Sequence, residues 1–293
     1  MSQQITEAFV QQYTANVTML YQQQGSLLRG TVREDTVVGK NYFFDRVGPT
    51  AAVKRTVRHG DTPLVNSPHS RRMVNMTDYE WADLVDDQDK IRLLISPESA
   101  YAKNAAMALG RAFDDAIIAA FEADAKAGED GATVVTFASE AAADLDFTAA
   151  ALTTANILTI KRKHDDKDVP KSNRTILIPP AALEQLLKQT STPNATSADY
   201  ASVKALVRGE LDTWVGYKWI MLTRLPKVAA TNVTTCFAFH EDSMGIALGK
   251  DIMGRVDVLP GKSYSTQVYA AMTMGATRVQ GEGVIRFKID EDL

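Results

Sequence analysis

One long helix in the middle of the chain is the feature that most constrains the fold. Ser96 stands in an N-cap position and Pro97 at the first helical position, where proline is well tolerated. Small and apolar residues then recur at intervals of three and four up to Ala127, just before the stop signal Gly128. At about 1.5 Å per residue, such a helix is a rod of roughly 45 Å. A rod of that length suits a structural backbone better than the interior of a small core.

The segment before the helix, from about Leu27 to residue 76, cannot form a long helix. It is rich in Val, Thr, Tyr and Phe, and it is interrupted by Gly39, Gly48, Pro49, Gly60, Pro63 and Pro68. Strand patterns occur at Thr36 to Phe44 and at Ala51 to Arg58, but the middle has too few apolar side chains to cover a core. The segment is therefore predicted to extend away from the body.

The start of the chain predicts an amphipathic arm. Residues 5–21 place apolar side chains at helical spacing, with Gln and Thr on the other faces. There is neither the basic region nor the continuous apolar run of a signal peptide, and no later stretch approaches the ~18 apolar residues of a membrane span. We therefore expect neither secretion nor a membrane-spanning segment.

Beyond the Gly128 to Gly131 turn, helical and strand patterns alternate. Helices are predicted at Phe147 to Arg162 and at Pro180 to Gln189, with a buried strand at Thr175 to Ile178 between them. Later strand patterns lie at Trp214 to Leu222, Val233 to Phe239, Arg255 to Leu259, Tyr264 to Met274 and Gly283 to Ile289. This order favours an α+β fold with a mixed α/β body over a doubly wound parallel sheet.

The sequence contains no recognisable catalytic or metal-binding motif. The four histidines, His59, His69, His164 and His240, lack the spacing of a helical metal site. Phosphate-binding glycine loops and the nucleophile elbow are missing. The lone Cys236 lies in a strand pattern and is expected to be a buried thiol. We expect no enzymatic activity, no cofactor and no metal.

Charge is distributed unevenly along the chain, although the formal net charge is only −4. Residues 29–72 contain nine Lys and Arg against four acids, and an acidic stretch from Asp78 to Asp89 follows without an intervening basic residue. Two solvated faces of opposite sign are one interpretation. The other is that the basic segment of one subunit contacts the acidic stretch of another. The residues for that contact are Arg55, Arg58, Arg71, Arg72, Asp83, Asp86, Asp87 and Asp89.

Short motifs along the chain carry a resemblance to known coat proteins. They are Asp61-Thr62-Pro63, Ser70-Arg71-Arg72, Asp78-Tyr79, Asp83-Leu84-Val85, Pro97-x-Ser99-x-Tyr101 and Ala108-Leu109-Gly110-Arg111-x-x-Asp114. Further on, Gly216-Tyr217 opens a strand pattern and Leu225-Pro226 closes it. These motifs and the order of the parts resemble the Hong Kong 97-like major capsid proteins of tailed bacteriophages, over nearly the whole chain.

The resemblance implies a division into the parts of that fold. These are an N-terminal arm (1–29), an extended β hairpin called the E-loop (30–80), a P-domain (81–145) with a spine helix at about 97–127, a mixed α/β A-domain (146–250), and return strands of the A- and P-domains (251–293). Some relatives join neighbouring loops by a Lys–Asn isopeptide bond. Lys54 is the lysine to consider here, but neither a partner Asn nor an acidic catalyst can be placed.

For function, the resemblance implies a major capsid protein that assembles as hexamers and pentamers into an icosahedral shell around double-stranded DNA. The expected partners are further copies of itself, DNA held by weak non-specific contacts, a portal, and separate scaffolding or decoration proteins. The expected location is the virion, after assembly in the bacterial host cytoplasm. An encapsulin-type compartment of the same fold is an alternative, and an α/β enzyme is a second alternative without support from motifs.

Overall fold

The computed structural model describes residues 22–86, 98–190, 205–206 and 212–293. The predicted arm helix at residues 5–21 and the predicted caps Ser96 and Pro97 lie outside these ranges. The chain forms two compact units. Of the described residues, the first unit contains 22–26, 78–86, 98–112 and 250–273. The second contains 27–77, 113–190, 205–206, 212–249 and 274–293.

Strands and helices alternate irregularly along the described chain. The strands are β1 (Arg33–Thr36), β2 (Asn41–Val47), β3 (His69–Asn75), β4 (Thr77–Val85), β5 (Ala125–Ala127), β6 (Thr133–Val135), β7 (Ala143–Asp146), β8 (Arg174–Ile178), β9 (Thr213–Trp214), β10 (Tyr217–Met221), β11 (Lys227–Val228), β12 (Val233–His240), β13 (Met244–Leu259), β14 (Ser265–Arg278) and β15 (Val284–Asp290). The helices are α1 (Glu98–Glu122), α2 (Phe137–Glu140), α3 (Thr154–Asp165) and α4 (Pro180–Thr190). The predicted α+β class is confirmed.

The second unit is built on a seven-stranded mixed sheet in the order β7–β15–β12–β8–β10–β9, with β11 paired to β12. Strands β8 and β10 are parallel, whereas β12 runs antiparallel to both β8 and β15. All five residues of β8 are buried, as its continuous apolar sequence predicts. Helix α1 packs its end on this sheet, where Phe121 stacks on Phe237 with ring centroids 4.6 Å apart.

Two four-stranded sheets complete the described structure, in the orders β2–β3–β5–β6 and β1–β13–β14–β4. Phe44 of β2 and Val74 of β3 belong to a buried cluster with Val37, Ala247 and Val279. This cluster fixes the base of the β2–β3 hairpin in the second unit. No helix within the described ranges is long and apolar enough to cross a lipid bilayer.

The long helix exists as predicted, but it ends at Glu122 and not at residue 127. Residues Ala125–Ala127 form β5 instead, because they pair with β3 on one side and with β6 on the other. Gly128 and Gly131 have positive φ angles of 92° and 71° in the turn between β5 and β6. The predicted stop signal therefore marks a hairpin turn and not the helix end.

Other predicted boundaries also need correction. The strand expected at Ala51 to Arg58 is absent, and the one expected at Thr36 to Phe44 is divided, because Thr36 ends β1 and Asn41 begins β2. The helix expected at Phe147 to Arg162 begins at Thr154, because the Thr153 side chain caps it by accepting from the Asn156 N–H at 3.1 Å. Strand β13 begins eleven residues before the expected Arg255, at Met244.

Candidate inter-subunit contact surface

An exposed loop joins β2 to β3, and we call residues 49–68 the exposed loop. The two strands pair in register from Asn41 opposite Asn75 to Val47 opposite His69. The Gly48 N–H then donates to the Pro68 carbonyl oxygen at 2.8 Å, which closes the mouth of the loop. Every residue of the exposed loop is solvent-exposed. The described residues of the chain therefore leave this loop uncovered, and its extension away from the body stays a prediction.

Four of the exposed side chains on this loop are large and apolar. They are Val53, Val57, Leu64 and Val65, and Leu64 is 93% exposed. Single exposed apolar side chains are common on protein surfaces, but a group of four on one loop that the described residues leave uncovered is typical of a contact surface.

The two predicted contact residues within the loop are accessible. The Arg55 side chain donates only to the nearby Val57 carbonyl oxygen, at 3.1 Å, and neither Arg55 nor Arg58 forms an ion pair with a described residue. Both guanidinium groups can therefore take an external acidic partner without first losing an internal one.

The two arginines of β3 point in opposite directions. The Arg71 side chain is 41% exposed, donates to Asp45 at 3.1 Å and lies over the Phe43 ring at 5.1 Å. Arg72 is only 4% exposed and is paired with Glu140 of its own chain. Successive side chains of a strand face opposite sides of the sheet, so only one of the two can face outward. Within the subunit Arg72 is buried against Glu140 whereas Arg71 is accessible, and the contact of either residue with a neighbouring chain stays a prediction.

The acidic stretch is divided between the two faces of β4 in the first unit. Asp78 and Glu80 lie on the more exposed face, where they accept from Thr273 at 2.7 Å and from Tyr269 at 3.0 Å. Asp83 lies on the other, half-buried face, and Asp86 follows the strand and accepts from Ser265 at 2.7 Å. Predicted contact residues Asp87 and Asp89 lie outside the described residues.

Four charged side chains at the base of the hairpin form a cluster that the sequence did not indicate. Glu140 of α2 meets Arg46 of β2 at 3.0 Å, Arg72 of β3, and Arg278 of β14 at 3.8 Å. We call this the Glu140 cluster. Its members lie up to 232 positions apart in sequence, Arg46 to Arg278, so no local pattern could have revealed it.

The motif residues of α1 hold the chain that leads into β1. In the first unit, Arg111 donates to the Gln22 side chain at 2.7 Å, and a Cβ atom on Gly110 would lie 2.7 Å from the Gly25 backbone. In the second unit, the buried Asp114 carboxylate accepts from the Leu27 and Leu28 N–H groups, at 2.9 and 3.1 Å. These residues have structural roles that depend on contacts across about 87 positions.

The buried titratable groups are explained by packing. Burial lowers the pKa of His164 to about 4, and its Nδ1 atom lies 2.7 Å from the Tyr217 hydroxyl. Burial also raises the pKa of the Cys236 thiol, which makes it a poor nucleophile. The described residues contain no group of acidic, His or Cys side chains that could hold a metal ion.

Several solved phage capsid structures share this fold at low sequence identity. The capsid of cyanophage P-SCSP1u gives a TM-score of 0.70 at 15% identity, covering 97% of this chain and 94% of that one. The capsid of cyanophage Pam1 gives 0.71 at 12% identity, covering 98% and 97%. The capsid of a native GTA particle gives 0.69 at 12% identity, covering 96% of each chain.

Sequence comparison identifies the family. No curated protein matches the chain significantly. A family model described as phage capsid protein, however, matches residues 5–291. The sequence resemblance is thereby confirmed. The chain belongs to the phage capsid protein family and has the Hong Kong 97-like fold.

Proposed function

We propose that this chain is a major capsid protein whose copies assemble as hexamers and pentamers into an icosahedral shell around phage double-stranded DNA. The observation that carries the proposal is the exposed loop, which displays four exposed apolar side chains and two arginines that form no ion pair with a described residue. The family match over residues 5–291 supports the same role. In this interpretation the chain acts through contacts between copies and performs no chemistry.

The loop has the reach and the chemistry for such contacts. A twenty-residue excursion that leaves and returns can extend about 30 Å at ~3.3 Å per residue. Full burial of a Val or Leu side chain contributes up to about 1.5–3 kcal/mol. Coverage of Val53, Val57, Leu64 and Val65 by a neighbouring chain would therefore stabilise each contact substantially, and the contact repeats at every subunit of a closed shell.

Charge adds specificity to the proposed contact. Arg55, Arg58 and Arg71 of one chain would face the acidic stretch of its neighbour, which includes Asp83 and Asp86. Exposed pairs of this kind contribute at most about 1 kcal/mol each, so they act mainly on the orientation and rate of association. We propose that the apolar side chains provide most of the affinity and that the charges orient the two surfaces as they meet.

The remaining partners follow from the same proposal. Contact with packaged DNA would be weak and non-specific, because the net charge of −4 provides no general basic field. A portal and separate scaffolding or decoration proteins would complete the particle. Assembly would take place in the bacterial cytoplasm, and the mature location would be the capsid of the virion.

The test is electron microscopy and sedimentation of the protein purified from bacteria. The parent chain is expected to form closed shells. A variant in which a short Gly-Ser linker replaces residues 51–66 keeps the Gly48 and Pro68 closure, and it is expected to fold but to stay unassembled.

Either a parent that stays monomeric across protein concentrations and salt conditions, or a linker variant that forms normal shells, would contradict the proposal. Shells that enclose a cargo enzyme would favour the encapsulin-type alternative.

A further inference from the structure

The Glu140 cluster gathers three guanidinium groups around one carboxylate in the second unit. The Arg46 Nη1 atom lies 3.0 Å from Glu140 Oε1, Arg72 pairs with the same oxygen, and Arg278 Nε lies 3.8 Å from Oε2. The side-chain exposures are 25% for Arg46, 5% for Arg72, 0% for Arg278 and 16% for Glu140. Among the residues that the structure describes, Glu140 is the one acidic side chain that pairs directly with all three cations.

Arg278 connects the cluster to the end of the long helix. It donates to the Phe121 and Ala123 carbonyl oxygens, at 2.8 and 3.0 Å, and to the Val135 carbonyl oxygen at 3.1 Å. The last turn of α1 contains no basic residue of its own. A cation at a helix C-terminus stabilises the exposed carbonyl groups, and Arg278 supplies that cation from a distant strand.

Arg46 connects the cluster to the mouth of the exposed loop. Its Nη1 atom also donates to the Val279 carbonyl oxygen, and its Nε atom donates to the Ser70 hydroxyl at 3.2 Å. Arg46 stands two residues before Gly48, whose N–H closes the loop against Pro68. The chain thus has a continuous path of polar contacts from the helix end, through Glu140, to both strands of the hairpin.

Such a cluster contributes little to the free energy of unfolding. Buried ion pairs carry a desolvation cost that can exceed their attraction, and apolar residues of similar volume often stabilise a core as well. The polar contacts instead fix the orientation of β2 and β3 at the point where the exposed loop begins, because each guanidinium group binds its partners only in a fixed geometry.

We propose that Glu140 is a positioning residue that sets the direction in which the exposed loop leaves the body. Arg46 links Glu140 to the loop, because it pairs with Glu140 and stands two residues before Gly48. The inference rests on the proposed function, since the direction of the loop matters only if the loop contacts a neighbouring chain.

The test compares three single variants with the parent. Arg46→Gln removes the partly exposed cation and leaves Glu140 paired with two arginines, so this variant is expected to fold. Glu140→Gln removes the central charge itself. Glu282→Gln is the matched control, because Glu282 also lies near the loop mouth but is exposed and pairs only with Lys167, at 3.7 Å.

Hydrogen exchange of the unassembled subunit is the first measurement. Exchange of the Gly48 amide is expected to be about tenfold faster in Arg46→Gln, and faster still in Glu140→Gln, because loss of a charge-assisted contact lowers the local opening free energy. Exchange in β12 should not change in Arg46→Gln, whereas a general loss of stability would alter it. Glu282→Gln should match the parent at both places.

Shell formation is the second measurement. Arg46→Gln is expected to give fewer or misshapen shells at an unfolding temperature close to that of the parent. Parent-like Gly48 exchange together with normal shells in Arg46→Gln would overturn the inference. If the parent itself does not assemble, the proposed function fails, and the exchange data still decide whether Glu140 and Arg46 hold the loop mouth.

Discussion

At the residue scale, strand register decides which of two identical neighbours is available for contact. Arg71 lies opposite Asp45 and Arg72 lies opposite Phe44 in the β2–β3 ladder. Phe44 belongs to a buried cluster, so its cross-strand partner also faces inward and pairs with Glu140. A shift of the register by one residue would exchange the two roles. The contact surface of the hairpin therefore depends on a single pairing choice.

A buried histidine gives the second unit a stability that depends on pH. His164 has a pKa of about 4 against an ordinary value of 6.5, because burial disfavours its charged form. The unfolded chain binds the proton more tightly, so stability is complete above pH 6.5 and is lost as the pH falls towards 4. The full loss is on the order of 3 kcal/mol.

The measurement is the free energy of unfolding by denaturant at pH 7 and at pH 4.5, for the parent and for His164→Gln. The variant is expected to be less stable at pH 7 because it loses packing around Tyr217. The free energy of unfolding of His164→Gln should nevertheless fall less than that of the parent when the pH is lowered from 7 to 4.5. Equal losses in the two proteins would show that His164 is not the group responsible.

At the element scale, the sequence predicted the existence of elements better than their ends. The spacing of apolar residues identified α1, and glycines and prolines identified the exposed loop, because both signals are local. The end of α1 depends on the pairing of Ala125–Ala127 with β3, which is distant in sequence. The Glu140 cluster was missed for the same reason, since its partners meet only after the sheets form.

Close packing along α1 gives a prediction at this scale. The Gly110 position lies against the backbone near Gly25, where an added Cβ atom would come within 2.7 Å. Gly110→Leu should lower the free energy of unfolding by about 1–3 kcal/mol or more, because the Gly25 backbone occupies the required space. Ala106→Leu, on an exposed position of the same helix, should be nearly neutral. Equal effects of the two changes, measured by denaturant unfolding, would contradict this contact.

At the scale of the whole molecule, the charge blocks give a prediction about assembly. Arg55→Glu combined with Arg58→Glu should reduce shell yield strongly while the circular dichroism of the subunit stays unchanged, because both residues lie on the exposed loop and form no ion pair with a described residue. High salt should weaken assembly of the parent only in part. Salt screens exposed charges beyond about 8 Å, whereas it does not screen the apolar contacts that also hold the shell.

A compensating change tests whether the acidic stretch is the partner. Asp83→Lys with Asp86→Lys should restore part of the shell yield of the double glutamate variant. Lys250→Glu with Lys262→Glu is a control that changes the charge of the same unit without supplying a cation to the loop. Sedimentation of the variants across a range of salt gives the yields. Identical assembly of the parent and the double glutamate variant would mean that the two blocks are independent solvated faces.

If the exposed loop of one subunit is covered by another, an electron-microscopy reconstruction of the assembled shell will show it. The quantity to measure is the solvent exposure of Val53, Val57, Leu64 and Val65 in the shell compared with the isolated subunit. We expect most of their exposed area to be buried by a neighbouring chain, with residues 45–75 contacting neighbours more than their own body. A shell in which this loop folds back on its own chain, or still projects into solvent, would show that the loop is not the contact between subunits.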